Sequence, residues 1–200
     1  MANKITQDYL DKVLRLLNGR LALNGSPSVR LVVCGGAAMI ATGLTVRTTT
    51  DVDIVALMDE NQQLKAPVPF PSYLLQAAHE VAATLDLPEH WLNNGPSRDD
   101  GGLFQMGLPT GFSERLHESI YGDHLRLYFI DRVDQIHFKL YAAVDRGGYH
   151  ISDLTALSPS NEELVSAAHW TFTHDISREF RMLLIRLLKE LGYEEAAAAI

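Results

Sequence analysis

The sequence predicts a mixed α/β (α+β) fold, and three observations carry that expectation. Short β-rich runs stand at 29–34, 51–57 and 125–130. Segments with apolar residues at helical spacing lie between them, and from Val133 onward the chain turns helical. Composition agrees: of 200 residues 46% are hydrophobic and 21% charged, the balance of a chain that buries a core.

Each element follows from a local pattern. Ile5, Leu10, Val13, Leu14 and Leu17 mark an amphipathic helix, with Asn18-Gly19 as its expected stop. Gly25-Ser26-Pro27 precedes the strand 29–34, and Gly35-Gly36 breaks it before a short helix of small residues, "AAMIATG". Residues 51–57 form the second strand. The proline-rich "KAPVPFPS" is a loop, and 72–85 a helix. Residues 93–112 are dense in glycine and proline and predict an irregular connection with one brief strand at most. The run 125–130 alternates as a third strand. Ser160 and Glu163 make a capping box for a helix to about Thr173. Phe180, Leu183, Leu184, Leu187, Leu188 and Leu191 share one helical face, and Gly192 stands where that helix should end.

The totals exclude several functions. A formal net charge of −8 argues against a protein that coats nucleic acid through a basic surface, though not against one that grips a single RNA end. Cys34 stands alone, so no intrachain disulfide forms and a reducing cytoplasm is the expected compartment. No apolar run has the length of a membrane span, and the N-terminus lacks the h-region of a signal peptide. No membrane role is expected.

The second strand raises the functional question. Aspartate is depleted in strands, yet "TDVDIV" carries Asp51 and Asp53. Strand periodicity sets them on one face, about 7 Å apart, with Val52 and Ile54 turned to the core. Two projecting carboxylates suit Mg²⁺, which takes one or two carboxylates plus phosphate oxygens and water. The alternative is that Asp51 caps a turn and Asp53 faces solvent. The preceding strand–Gly35-Gly36–helix segment adds weight to the first reading. Glycine permits a sharp turn and close approach, and a helix start aims backbone N–H groups at an anion.

With those residues in view, "GGAAMIATGLTVRTTTDVDIV" resembles the nucleotidyltransferase superfamily of the DNA polymerase β type, with Gly-Gly, a helix, then Asp-x-Asp on the next strand. The form Arg47-x-Thr49-x-Asp51-x-Asp53 is similar to a bacterial branch that includes AbiEii-like toxins and uncharacterised DUF6036-like nucleotidyltransferases. "DRVDQIHFKLYAAVDRGGYHISDLTAL" resembles the second block of that branch through Lys139, Ala142, Arg146, Asp153 and Leu154. The likeness spans roughly residues 29–57 and 125–175. It implies a minimal nucleotidyltransferase fold, with an α/β core over 1–132 and a helical part over 133–200 packed on it, or one single domain. It also implies transfer of a nucleotidyl group from an NTP to an acceptor hydroxyl on an RNA end or a protein. Asp51 and Asp53 would hold Mg²⁺ or Mn²⁺. Lys139 and Asp153 would serve the chemistry, and Gly35, Gly36, Arg47, Thr49 and Arg146 the nucleotide. A cognate toxin or antitoxin partner and a phage-defence setting belong to the same implication. The alternative it leaves is a degenerate nucleotide-binding or antitoxin module. Two departures stand out. Ala37 occupies the position where the superfamily often has serine, and the third strand, "LRLYFI", offers Arg126 and Tyr128 outward instead of an acid, leaving Asp123, Asp131 or Asp153 as substitutes.

Other constellations have simpler readings. Lys139 and Arg146, seven apart, share a helix face and without the resemblance would be its wet side, opposite Ile136, Leu140, Ala143 and Val144. No histidine pair has zinc-binding helical spacing. His174-Asp175 suits a helix boundary, and Cys34 core filling. Arg178, Arg181, Arg186 and Lys189 decorate the last helix as solvated charges.

Overall fold

The computed structural model describes residues 3–99 and 101–200. The chain parts into two compact units, one ending at Asp131 and the other running Arg132–Ile200. The first is a mixed α/β layer and the second is helical, so the α+β character read from the sequence holds.

Helix α1 (Gln7–Leu23) starts at Thr6, whose hydroxyl accepts from the Tyr9 N–H at 3.4 Å. Asn18-Gly19 does not stop it. Leu21 extends the buried stripe of Leu10, Val13, Leu14 and Leu17, and this burial outweighs the roughly 1 kcal/mol that one exposed glycine costs a helix. The chain turns instead at Gly25, where φ is +62°.

Strand β1 (Val29–Cys34) leads directly into α2 (Gly35–Ala41), and β2 (Val52–Met58) follows. Asp51 thus lies just before the second strand, not inside it. After β3 (Leu64–Lys65), α3 (Ser72–Leu85) and β4 (Leu92–Asn93), a 3₁₀ turn (Gly95–Ser97) and α4 (Leu103–Met106) occupy the glycine-rich stretch. Strands β5 (His117–Ile120) and β6 (Leu125–Phe129) complete a sheet ordered β3-β2-β1-β6-β5, with β4 also pairing β2. Strands β3 and β4, two residues each, and the largely exposed β5 have no sequence periodicity to betray them.

Register defines the two faces. Strand β1 runs parallel to β6, with Arg30 beside Arg126, Val32 beside Tyr128 and Val33 beside Phe129. Since alternate residues point to opposite sides, Leu31, Val33, Leu125, Leu127 and Phe129 share one face, and all are buried. Arg30, Val32, Arg126 and Tyr128 share the other, where Arg126 is exposed, Arg30 and Tyr128 are half-buried and Val32 is fully buried.

Between β1 and the antiparallel β2 the register slips. Val32 opposes Ala56 and Val33 opposes Ile54, so Val55 is a bulge residue. The consequence is large. Strict alternation from Ala56 would send Asp53 to the buried face; the extra residue instead brings it opposite Cys34, on the face of Val32 and Tyr128. The fully buried Ser97 hydroxyl donates to the bulge carbonyl of Val55 at 2.8 Å, supplying the partner that a disrupted ladder needs.

In the second unit, α5 (Arg132–Arg146) packs against α6 (Tyr149–Ala156) and α7 (Asn161–His174), and α8 (Arg178–Glu190) and α9 (Glu194–Ala199) follow. Gly147 and Gly148, both at positive φ, separate α5 from α6. The Ser160–Glu163 capping box forms as the sequence suggests. Glu163 also receives Arg132 at 2.6 and 3.1 Å, tying the start of α7 to the start of α5. Phe138, Tyr141, Trp170, His174 and Phe180 make one aromatic cluster.

Candidate functional site

Six of the expected site residues come together in the first unit, where β1 ends and β2 begins. Gly35 has φ +68°, and a Cβ placed there would stand 2.8 Å from Asp53 Oδ2. The carboxylate therefore rests against the start of α2, where a helix favours negative charge. A Cβ on Gly36 would meet Arg47 Nη2 at 2.9 Å and Thr49 Oγ1 at 3.0 Å. The two glycines are needed because side-chain polar atoms occupy the space that β-carbons would fill.

The loop before β2 is held just as closely. Thr49 Oγ1 donates to Asp51 Oδ1 at 2.8 Å. The Thr49 backbone exchanges both hydrogen bonds with Ile5, at 2.7 and 3.0 Å, and Thr49 itself is buried. Arg47 Nη1 donates to the Thr48 carbonyl at 3.1 Å. Gly35, Gly36, Arg47, Thr49, Asp51 and Asp53 thus form one continuous set of contacts. The chemistry of the set suits a divalent cation with a phosphate: two half-buried carboxylates, a hydroxyl, a guanidinium and a helix start.

Sequence reasoning missed one neighbour. On β4, which runs parallel to β2, Asn93 is the register partner of Asp53. Its Oδ1 accepts the Gly95 N–H at 2.8 Å, which holds the side chain in an Asx turn. "WLNNGPS" carries the turn signal, but nothing in it tells which strand it joins.

The other expected residues lie in the second unit. Lys139 and Asp153 form an ion pair of 2.6 Å, and they are only 4% and 2% exposed. Lys139 is therefore no wet-face residue. Helix α5 is buried on most sides from Asp134 to Leu140, and the Tyr149 ring lies 5.8 Å from the Lys139 Nζ. Arg146, one helix end away, is exposed and bonds its neighbour Asp145 at 3.1 Å. Lys139 and Arg146 share spacing but not environment.

The substitutes for a third acid are dispersed. Asp123 is exposed in the turn between β5 and β6, and Asp153 serves Lys139. Asp131 bonds the His117 ring at 3.0 Å, and His117 is the partner of Phe129, on the face opposite that of Tyr128. Among the described residues, no three His, Cys, Asp or Glu side chains gather in a way that could hold a metal ion.

No family model, curated protein or solved structure matches this chain. None of the described helices is long and apolar enough to cross a membrane.

Proposed function

We propose that the chain is a metal-dependent nucleotidyltransferase that moves a nucleotidyl group from an NTP to an acceptor hydroxyl. The observation that carries the reading is the convergence of the Gly35-Gly36 helix start with Asp53, Arg47 and Thr49, and through Thr49 with Asp51. Glycine at two positions pressed by polar side chains, beside two carboxylates, is a costly arrangement for a merely structural turn.

In this reading Asp51 and Asp53 would hold Mg²⁺ or Mn²⁺, and the metal would supply charge neutralisation for the triphosphate. Arg47 and the N–H groups at the start of α2 take phosphate oxygens. Thr49 holds the Asp51 carboxylate in one orientation. The acceptor oxygen bonds to the α-phosphorus, the bond to the β-phosphate bridge breaks, pyrophosphate leaves, and the hydroxyl proton passes to solvent. Arg146, exposed, has the freedom to meet a phosphate. Lys139 and Asp153 act as one ionic unit, so a chemical role for either requires the other to stay in place. An RNA end or a protein hydroxyl is the acceptor, and a toxin–antitoxin or phage-defence setting follows from the family likeness of the Arg-x-Thr-x-Asp-x-Asp stretch. The cytoplasm is the compartment this reading needs.

A second reading is a nucleotide-binding or antitoxin module without transfer. The dispersal of Asp123, Asp131 and Asp153 favours it. One experiment separates the two: each labelled NTP is incubated with Mg²⁺ or Mn²⁺ and total RNA or lysate. Transfer of label that disappears in Asp53→Ala supports the enzyme, whereas saturable NTP binding with no transfer supports the module. A melting temperature indifferent to Mn²⁺ and Mn²⁺-ATP removes the metal from both.

A further inference from the structure

Arg30 on β1 and Arg126 on β6 are direct register partners, side by side on adjacent strands. Strands lie about 4.8 Å apart, and like charges directly opposite one another in a sheet are destabilising. Tyr128 stands two residues further along β6 on the same face, and its hydroxyl donates to Glu118 Oε1 at 2.9 Å. The same oxygen accepts Arg126 Nη1 at 3.3 Å, a pair whose side chains are 45% and 42% exposed, so one carboxylate only partly offsets two guanidinium groups. Tyr128 in turn neighbours Val32, and two residues beyond Val32 is Cys34, the partner of Asp53. An arginine pair and an aromatic ring therefore share the partly exposed end of one face, and the buried Val32 and Cys34 stand between them and Asp53.

We infer that this face, through Arg30, Arg126 and Tyr128, docks the end of a single-stranded RNA, with a backbone phosphate across the two arginines and a base on the Tyr128 ring. An anion between the arginines relieves their repulsion, and the accessible side of the half-buried Tyr128 ring offers a base a surface to stack on. Glu118, an acceptor without a proton to give, suits a ribose 2′-hydroxyl, which distinguishes RNA from DNA. The inference names the acceptor side of the proposed transferase and rests on that reading for its purpose, though not for its test.

The test is binding of a short fluorescent oligoribonucleotide of mixed sequence to the full chain, followed by anisotropy over a salt series without NTP. The double variant Arg30→Ala/Arg126→Ala should weaken binding about tenfold or more and flatten the salt dependence by roughly one to two phosphate contacts. Tyr128→Leu should weaken it about fivefold or more with little change in salt dependence. Arg30→Lys/Arg126→Lys should retain most of the affinity, which separates lost charge from lost folding. A DNA oligomer of the same sequence should bind more weakly, and Glu118→Gln should narrow that difference. Wild-type protein that binds no oligoribonucleotide, variants that bind as well as wild type, DNA binding equal to RNA, or capture of a protein acceptor indifferent to these substitutions would each overturn the inference. Asp51→Asn/Asp53→Asn should still bind the oligomer. Binding retained there with no transfer activity in wild type sinks the transferase reading alone, and transfer to RNA that ignores Arg30 and Arg126 sinks this inference alone.

Discussion

Gly35 shows how much of the site rests on single residues. A side chain there meets both a positive φ and Asp53 Oδ2 at 2.8 Å. Gly35→Ala should lower stability by about 1–2 kcal/mol from the left-handed backbone alone, read by thermal denaturation, with a further loss from the displaced carboxylate. The same variant should lose the Mn²⁺-dependent rise in melting temperature. A variant that melts like wild type and still responds to Mn²⁺ would separate Gly35 from the site. Tyr128 offers a pH readout. Burial pushes its phenol above the ordinary value of 10.0, and the hydrogen bond and charge of Glu118 push the same way. A raised folded pKa contributes stability that is fully present below the unfolded value and fades as pH rises through the folded one. Ultraviolet titration should therefore find Tyr128 ionising above pH 10.0, and Glu118→Gln should bring it part of the way down. No shift on that substitution would mean that burial alone sets the value.

The bulge at Val55, which sets the face of Asp53, and the buried Lys139–Asp153 pair between α5 and α6 each carry a prediction. Ser97→Ala removes the hydroxyl that bonds the Val55 carbonyl, and a buried polar group left without its partner costs about 1–3 kcal/mol. The variant should lose that much in chemical denaturation. Its response to Mn²⁺ should fall too, because the bulge decides which face Asp53 occupies. The Lys139–Asp153 pair makes a different prediction. Lys139→Ala strands a buried carboxylate and should cost about 3–5 kcal/mol, whereas Lys139→Met/Asp153→Leu, which removes both charges at similar volume, should cost far less or nothing. If the stable double variant retains transfer activity, the pair is structural and its chemical role is gone. Helix α5 also marks a limit of sequence reading: Lys139 and Arg146 share a helical phase, but phase does not tell which side a neighbouring helix covers.

For the molecule as a whole, the balance of charge sets the background. A net −8 favours expansion, and near-physiological salt screens that repulsion between charges more than about 8–10 Å apart. Raising ionic strength from low to roughly physiological should therefore raise the melting temperature modestly, while it weakens any RNA binding at Arg30 and Arg126. A melting temperature that falls with salt would show that specific ion pairs outweigh the net charge. The division of the chain into a unit ending at Asp131 and a helical unit from Arg132 also assigns these tests. Metal and RNA readouts report on the first, and the Lys139–Asp153 double variant on the second.

Local patterns determined the α/β first half, the helical second half, the Ser160–Glu163 capping box and the Gly-Gly/Asp-x-Asp cluster. Each depends on residues close in sequence, where periodicity, capping chemistry and glycine leave a direct mark. Tertiary structure decided what depends on partners far along the chain. It carried α1 past Gly19 by burying Leu21, and it placed Asn93 beside Asp53 through a two-residue strand. It buried Lys139 against Asp153, and it inserted Val55 so that Asp53 faces the same side as Tyr128. Side-chain direction along a strand has a period of two, so one bulge residue reverses it, and only the register against β1 reveals that the reversal has occurred.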